Sequence, residues 1–255
     1  LNTDRNNTAF IIGDSPLRLA GTATAVTEWA NNSANATDNG DDGLISASDY
    51  LAVFYPSGQT TDNSGTTIVI PPSHMMLRTL ANSDNVSYPW FAPAGLNRGT
   101  LDTVIQAERK LIHSDRDSLY NSNVNPIATF PGQGITAWGQ KTLQKKASAL
   151  DRVNVRRLLI KVKKFIASSS KFLVFEQNDV QTRNRFMNIV NPYLESIQQA
   201  RGLTSFRVVM DDSNNTPDVI DRNRLVGQIL LQPTRTAEFI VLDFIVQPTG
   251  ATFPE

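Results

Sequence analysis

The chain has no cysteine among its 255 residues. That excludes a disulfide scaffold and a thiolate metal centre. Histidine is nearly absent too: His74 and His113 stand alone, in unrelated contexts. No nucleophile elbow or metal-binding helix accompanies them, so both read as structural residues. No apolar run approaches the roughly 18 residues of a membrane span, and nothing at the start resembles a signal peptide. The net charge is zero, yet each sign is locally scarce. Residues 1–62 hold eight acids against two bases, a net −6, while residues 141–171 hold ten Lys or Arg against Asp151 alone, a net +9. Such separation points to a partner surface, either nucleic acid or another copy of the same chain.

What is present organises into short alternating elements. Ala9–Ile12 reads as a strand ended by the turn residues GDSP, and Thr24–Asn31 as a short helix. Asn31–Gly43, rich in Asn, Asp and Gly, reads as a surface loop. Leu51–Tyr55 and Thr66–Ile70 are β-rich runs around the insert PSGQTTDNSG, and Pro71–Pro72 open a helix over Ser73–Ala81. Tyr88–Gly99 carries too much Pro and Gly for a regular element. Further on, Ile135–Leu143 alternates as a strand. Val155, Leu158, Leu159, Val162 and Ile166 share one helical face, with Asn154 as the expected N-cap. Phe172–Phe175 is expected as a strand and Thr182–Gln199 as a second amphipathic helix closed near Gly202. Three further strands are expected at Phe206–Met210, Leu225–Leu231 and Ala237–Val246. The pattern predicts an α/β (α+β) fold, a mixed β-sheet flanked by helices.

Three segments invite chemical readings. FPGQGITAWGQKTL (Phe130–Leu143) nearly spells a phosphate-binding loop. However, Gln140 separates Gly139 from Lys141 and shifts both Lys141 and Thr142 out of place, and Trp138 crowds the turn. A tight turn leading into a strand is the better reading. DNGDDGLISASD places Asp38, Asp42, Ser46 and Asp49 at calcium-loop positions 1, 5, 9 and 12, but Gly40 occupies position 3. A solvated loop whose Ser46 or Ser48 caps the next helix is the better reading, and no ligand set is assigned. Addition of calcium is expected to leave the melting temperature unchanged. DDSNNTPDVID (Asp211–Asp221) reads as a turn whose Asn and Asp side chains satisfy backbone donors. The basic helix could meet DNA phosphates, but it lacks aromatic interleaving and any nucleic-acid motif.

Read in order, these segments resemble the tail sheath proteins of contractile-tailed bacteriophages. The blocks are APAGLNRG (Ala92–Gly99), LYNSNVNPIATFPGQGITAWGQKTL (Leu119–Leu143), NVRRLLIKVKKFI (Asn154–Ile166), FEQND, TRNRF, RGL and NNTPDVIDRNRLVGQILLQPTRTAEFIVLDF. The resemblance runs from about Tyr50 to the end and is strongest from Tyr88 onward. It implies a partly unplaced N-terminal portion, residues 1–98, and a conserved C-terminal sheath domain, residues 99–255. It implies a non-enzymatic structural subunit with no cofactor, no metal site, and no nucleic-acid or membrane partner. Its partners would be neighbouring sheath subunits in stacked hexameric rings and the tail tube protein. Contraction would drive the tube through the host envelope for genome ejection. The location implied is the virion tail sheath, assembled in the host bacterial cytoplasm. A related contractile bacteriocin or injection-system sheath is the near alternative, and a calcium- or phosphate-binding module the distant one. Arg156, Arg157, Lys161 and Lys164 are expected on the polar side of their helix, as assembly contacts to acidic groups of a neighbour or the tube. The chain opens at Leu1 rather than Met, which reads as a trimmed fragment lacking an N-terminal arm. Such a chain is expected to fold as a monomer without polymerising.

Overall fold

The structure, a computed structural model, describes residues 7–15, 22–31 and 48–241. One sheet holds β1 (Ile11–Asp14), β2 (Leu51–Tyr55), β6 (Val124–Phe130) and β7 (Gly134–Ala137) in the order β1-β2-β6-β7. The first three run parallel and β7 returns antiparallel, so the sheet is mixed, as the sequence predicts. It takes strands from both sides of the expected boundary at residues 98 and 99.

β2, LAVFY, is apolar throughout because both of its faces are covered. Val53 and Tyr55 point toward α1 (Ala23–Ala30) and Leu119 of α3 (His113–Asn121). Ala52 and Phe54 point the other way, to Met75 and Met76 of α2 (Pro72–Val86). Helix α2 begins at a Pro pair that supplies no capping side chain. Asp14, at the end of β1, takes that role: Ser73 donates its amide to Oδ1 and its hydroxyl to Oδ2, each at 2.6 Å. A carboxylate there also suits the positive end of the helix dipole. A small antiparallel sheet of β3 (Gly58–Thr61), β4 (Thr67–Ile70) and β5 (Gln106–Ala107) lies beside this layer. The irregular segment 95–101 covers the outer edge of β7, with Gly95 N to Ala137 O, Ala137 N to Gly99 O and Leu101 N to Ile135 O all at 2.8–2.9 Å.

A second core gathers α4 (Val153–Ser170), α5 (Val180–Gln199) and the antiparallel pair β8 (Leu203–Val209) and β9 (Gln228–Pro233). Buried residues of α5 fall at 182, 183, 186, 190, 194 and 197, one stripe of a 3.6-residue period. Asp179 caps it by accepting Thr182 N at 2.7 Å. At its end Arg201 adopts φ 63°, and Gly202 N returns to Ile197 O at 2.8 Å. A Cβ on Gly202 would lie 2.6 Å from Ile197 Cγ2 and 3.1 Å from the Trp90 ring, so Arg201 takes the left-handed closing place and Gly202 lets the chain pack closely after it. A short helix α6 (Pro217–Asp221) sits between β8 and β9.

Several expectations need correction. Phe172–Phe175 is not a strand: residues Lys171–Leu173 form a 3₁₀ turn and Phe175 has φ 72°, because this run links two packed helices and meets no sheet edge. Asn154 does not cap α4; Arg152 holds that place, and buried Asn154 donates Nδ2 to Trp90 O at 3.1 Å. The strand expected over Ile135–Leu143 ends at Ala137. The part of Ala237–Val246 within the described residues, 237–241, forms no strand; the remainder lies outside them. The acidic stretch Asp38–Asp49 also lies outside them, apart from its last two residues.

Candidate assembly surface

The glycine-rich segment is structural at each position that looked chemical. Gly132 and Gly134, at φ 75° and 84°, make the β6–β7 turn. Gly139 has another cause. A Cβ there would lie 2.8 Å from Asn125 Oδ1, and Asn125 is fully buried as a clamp. Its Oδ1 accepts Lys141 N at 2.6 Å, while Nδ2 donates to Lys141 O at 2.8 Å and Val53 O at 3.0 Å. Lys141 Nζ donates to Tyr120 O at 2.8 Å and lies 3.9 Å from the centre of that ring. Burial first, and Arg152 second, lower the Lys141 pKa. Thr142 is completely buried and donates to Leu150 O. Neither group is free to meet a phosphate.

The four basic residues expected at an interface divide into two pairs. Arg156 is buried, paired with Asp49 and set over the Tyr50 ring with its guanidinium 4.1 Å from the centroid. Burial brings its pKa down to about 10, which leaves it charged at neutral pH. Arg157 is largely enclosed and pairs with Asp84 of α2 at 2.5 Å. Arg156 therefore does not lie on the polar side of α4: the helix packs between two layers there, and Arg carries charge into enclosed places when it is paired. Lys161 and Lys164, one and two turns further along, are exposed and have no ion-pair partner among the described residues. Lys161 lies 5.2 Å from the Trp90 ring. Helix α4 itself contains no acid.

Beyond β9, residues 234–241 run without regular structure to Gln140, Arg152 and Tyr120 beside the sheet layer. Thr234 N bonds to Gly202 O at 3.2 Å. Glu238 is then gripped by Arg152, whose Nε reaches Oε1 at 2.7 Å and whose Nη2 reaches Oε2 at 2.9 Å. Tyr120 donates its hydroxyl to Oε2 at 2.5 Å and Gln140 Nε2 donates to Oε1 at 3.2 Å. Burial raises the Glu238 pKa, but the bonds from Arg152, Tyr120 and Gln140 outweigh it and the net shift is down. Burial, then the bond to Glu238, pushes the Tyr120 hydroxyl up, so it stays a neutral donor. After this grip Phe239, Ile240 and Val241 are 77%, 81% and 91% exposed. The sequence offered no local signal for this cluster, since its members are scattered over 118 positions.

The remaining candidates stay apart. His74 is exposed on α2, and His113 pairs with Asp117 one turn along α3. In the 211–221 segment, Asp211 accepts from Ser213, and Asn215 exchanges bonds with Val226, as expected for a side-chain-built turn. No cluster of His, Cys, Asp and Glu suited to a metal ion occurs among the described residues. No described helix is long and apolar enough to cross a membrane.

The same arrangement recurs in solved contractile machines. It matches a protein of the contracted anti-feeding prophage baseplate with a TM-score of 0.78 and 27% identity, over 96% of this chain and 67% of that one. It matches a protein of the contracted sheath complex of the extracellular contractile injection system PVC at TM-score 0.76 and 27% identity, over 92% of this chain and 63% of that one. The fold is thus that of contractile sheath machinery. Residues 145–247 match the family described as Phage tail sheath C-terminal domain. Residues 145–247 thus carry a phage tail sheath C-terminal domain. The tail sheath protein of Vibrio phage KVP40 is 43% identical over 175 residues, 69% of this chain and 26% of that protein. The chain thus spans about a quarter of the length of the curated relatives it matches.

Proposed function

We propose that this chain is part of a structural, non-enzymatic subunit of a contractile phage tail sheath, working in the virion tail. The observation that carries the reading is the 43% identity to a phage tail sheath protein over 69% of the chain. The lower identity of 27% to the injection-system structures favours a phage tail over a free-standing injection system. In this reading copies surround the tail tube in stacked hexameric rings, assembled in the host cytoplasm. Contraction is a rigid-body repacking that drives the tube through the host envelope. Its energy comes from interface differences between two assembled states, so no cofactor takes part.

A screw-repeated subunit needs two different, complementary faces, because a heterologous contact that does not close makes a filament. Lys161 and Lys164 supply the basic face, to be met by acids of the tube or of a neighbour. Arg156 and Arg157 serve the interface indirectly, by fixing α4 against Asp49 and Asp84. In this reading residues 1–98 form an N-terminal portion and residues 99–255 the conserved sheath domain; the family match lies wholly within the second. The test is Lys161→Glu with Lys164→Glu in the full-length protein. The reading expects an intact fold by circular dichroism and impaired cylinder formation by electron microscopy. Normal cylinders from the double variant would remove these lysines from the interface.

A further inference from the structure

The described C-terminal segment is tied to the body at two separated points. One is next to the sheet it leaves, where Thr234 N bonds to Gly202 O. The other is Glu238, held by two charge-assisted bonds from Arg152 and one each from Tyr120 and Gln140. The Glu238 and Arg152 side chains are 18% and 25% exposed, so this pair is shielded from the solvent that weakens surface ion pairs. Thr236, accepting from Gln140 at 2.8 Å, and Phe239, edge-on to Tyr120 at 6.5 Å between centroids, add to the same point. No backbone bond of residues 235–241 reaches the body among the described residues.

We infer that Glu238 is a latch that fixes where the C-terminal segment departs from the subunit: with its carboxylate released, only the single Thr236–Gln140 bond and the Phe239–Tyr120 contact hold the segment beyond residue 234. The grip joins three elements far apart in sequence: α3 through Tyr120, the segment after β7 through Gln140, and the start of α4 through Arg152. The segment therefore leaves from the sheet layer, although its own strand, β9, belongs to the other core. Freeing residues 235–238 lengthens the reach of the segment by up to about 14 Å at the extended rise of ~3.5 Å per residue. This holds for the chain itself and does not depend on the sheath reading.

The absence of cysteine allows clean labelling. Spin labels at Asn184→Cys, on the exposed face of α5, and at Val241→Cys report the distance from body to segment by pulsed electron resonance. The expected result is a single narrow distance in the otherwise unaltered chain. In Glu238→Gln it broadens by on the order of 10 Å, the spread of a flexible link of this length, with an unchanged circular dichroism spectrum. Arg152→Met is expected to broaden it likewise, and Tyr120→Phe, which keeps the charge pair, to broaden it less. A distribution equally narrow in Glu238→Gln and Arg152→Met would overturn the latch, as would a broad one in the unaltered chain. Should Glu238→Gln fail to fold, Tyr120→Phe decides: no change at all in its distribution counts against the latch.

Discussion

Replacing Arg156 by Ala tests whether α4 is held from within. The guanidinium is buried, pairs with Asp49 and covers Tyr50. Removing one member of a buried pair costs about 3–5 kcal/mol, chiefly because the other charge is stranded. Asp49 keeps 25% of its side chain exposed, so water recovers part of that loss and the lower end applies, about 3 kcal/mol. Loss of the ring contact, about 0.5–1 kcal/mol where water has access, falls within the same figure. At roughly 2–4 °C per kcal/mol for a chain of this size, the melting point should fall by about 6–12 °C. Urea unfolding read by circular dichroism gives the free energy directly, with Lys164→Ala as a control expected within about 0.5 kcal/mol of the parent. An Arg156→Ala variant as stable as that control would refute the reasoning. Arg156 would then belong with the surface lysines.

Gly139→Ala should lower the urea midpoint by an amount equivalent to about 1–3 kcal/mol, the usual cost of overpacking, because its Cβ would press on Asn125 Oδ1 at 2.8 Å; an unchanged midpoint would mean that the clamp yields freely. Calorimetry with ATP should show no binding heat, since Lys141 and Thr142 are both engaged internally; saturable heat lost in Lys141→Ala would reverse that reading. The Glu238 latch should weaken in acid. Its folded pKa lies below the ordinary 4.5, so its contribution is complete above that value and is lost as pH falls through the depressed folded pKa. The melting-point advantage of the parent over Glu238→Gln should therefore be constant from pH 7 to 5 and shrink only as the pH falls below the ordinary 4.5; an advantage that grows in acid would contradict the sign.

The parts legible from sequence were those with a strong period or local chemistry. Helix α5 announced itself by its apolar stripe, and the turn at 211–221 by its Asn and Asp side chains. β2 was legible from a β-rich run bounded by Pro56. β6 was harder, because Pro126 within VNPIATF argues against a strand, yet the residue sits in a parallel pairing opposite Tyr55. The site divided in the same way. Lys161 and Lys164 were visible as uncompensated charge. Arg156 looked identical to them in a basic run, and only the packing of α4 against Asp49 and Tyr50 separates it. Asn125, Gln140 and Glu238 were not legible because their roles come from tertiary neighbours. A polar residue inside the apolar β6 run was the one available hint for Asn125.

The central claim is that this fold serves a subunit of a helical, contractile sheath, and electron microscopy of the purified full-length protein tests it most directly. The account predicts hollow cylinders of stacked rings, their formation impaired by Lys161→Glu with Lys164→Glu. A well-folded full-length protein that forms only closed, point-symmetric oligomers or stays monomeric at high concentration would contradict it.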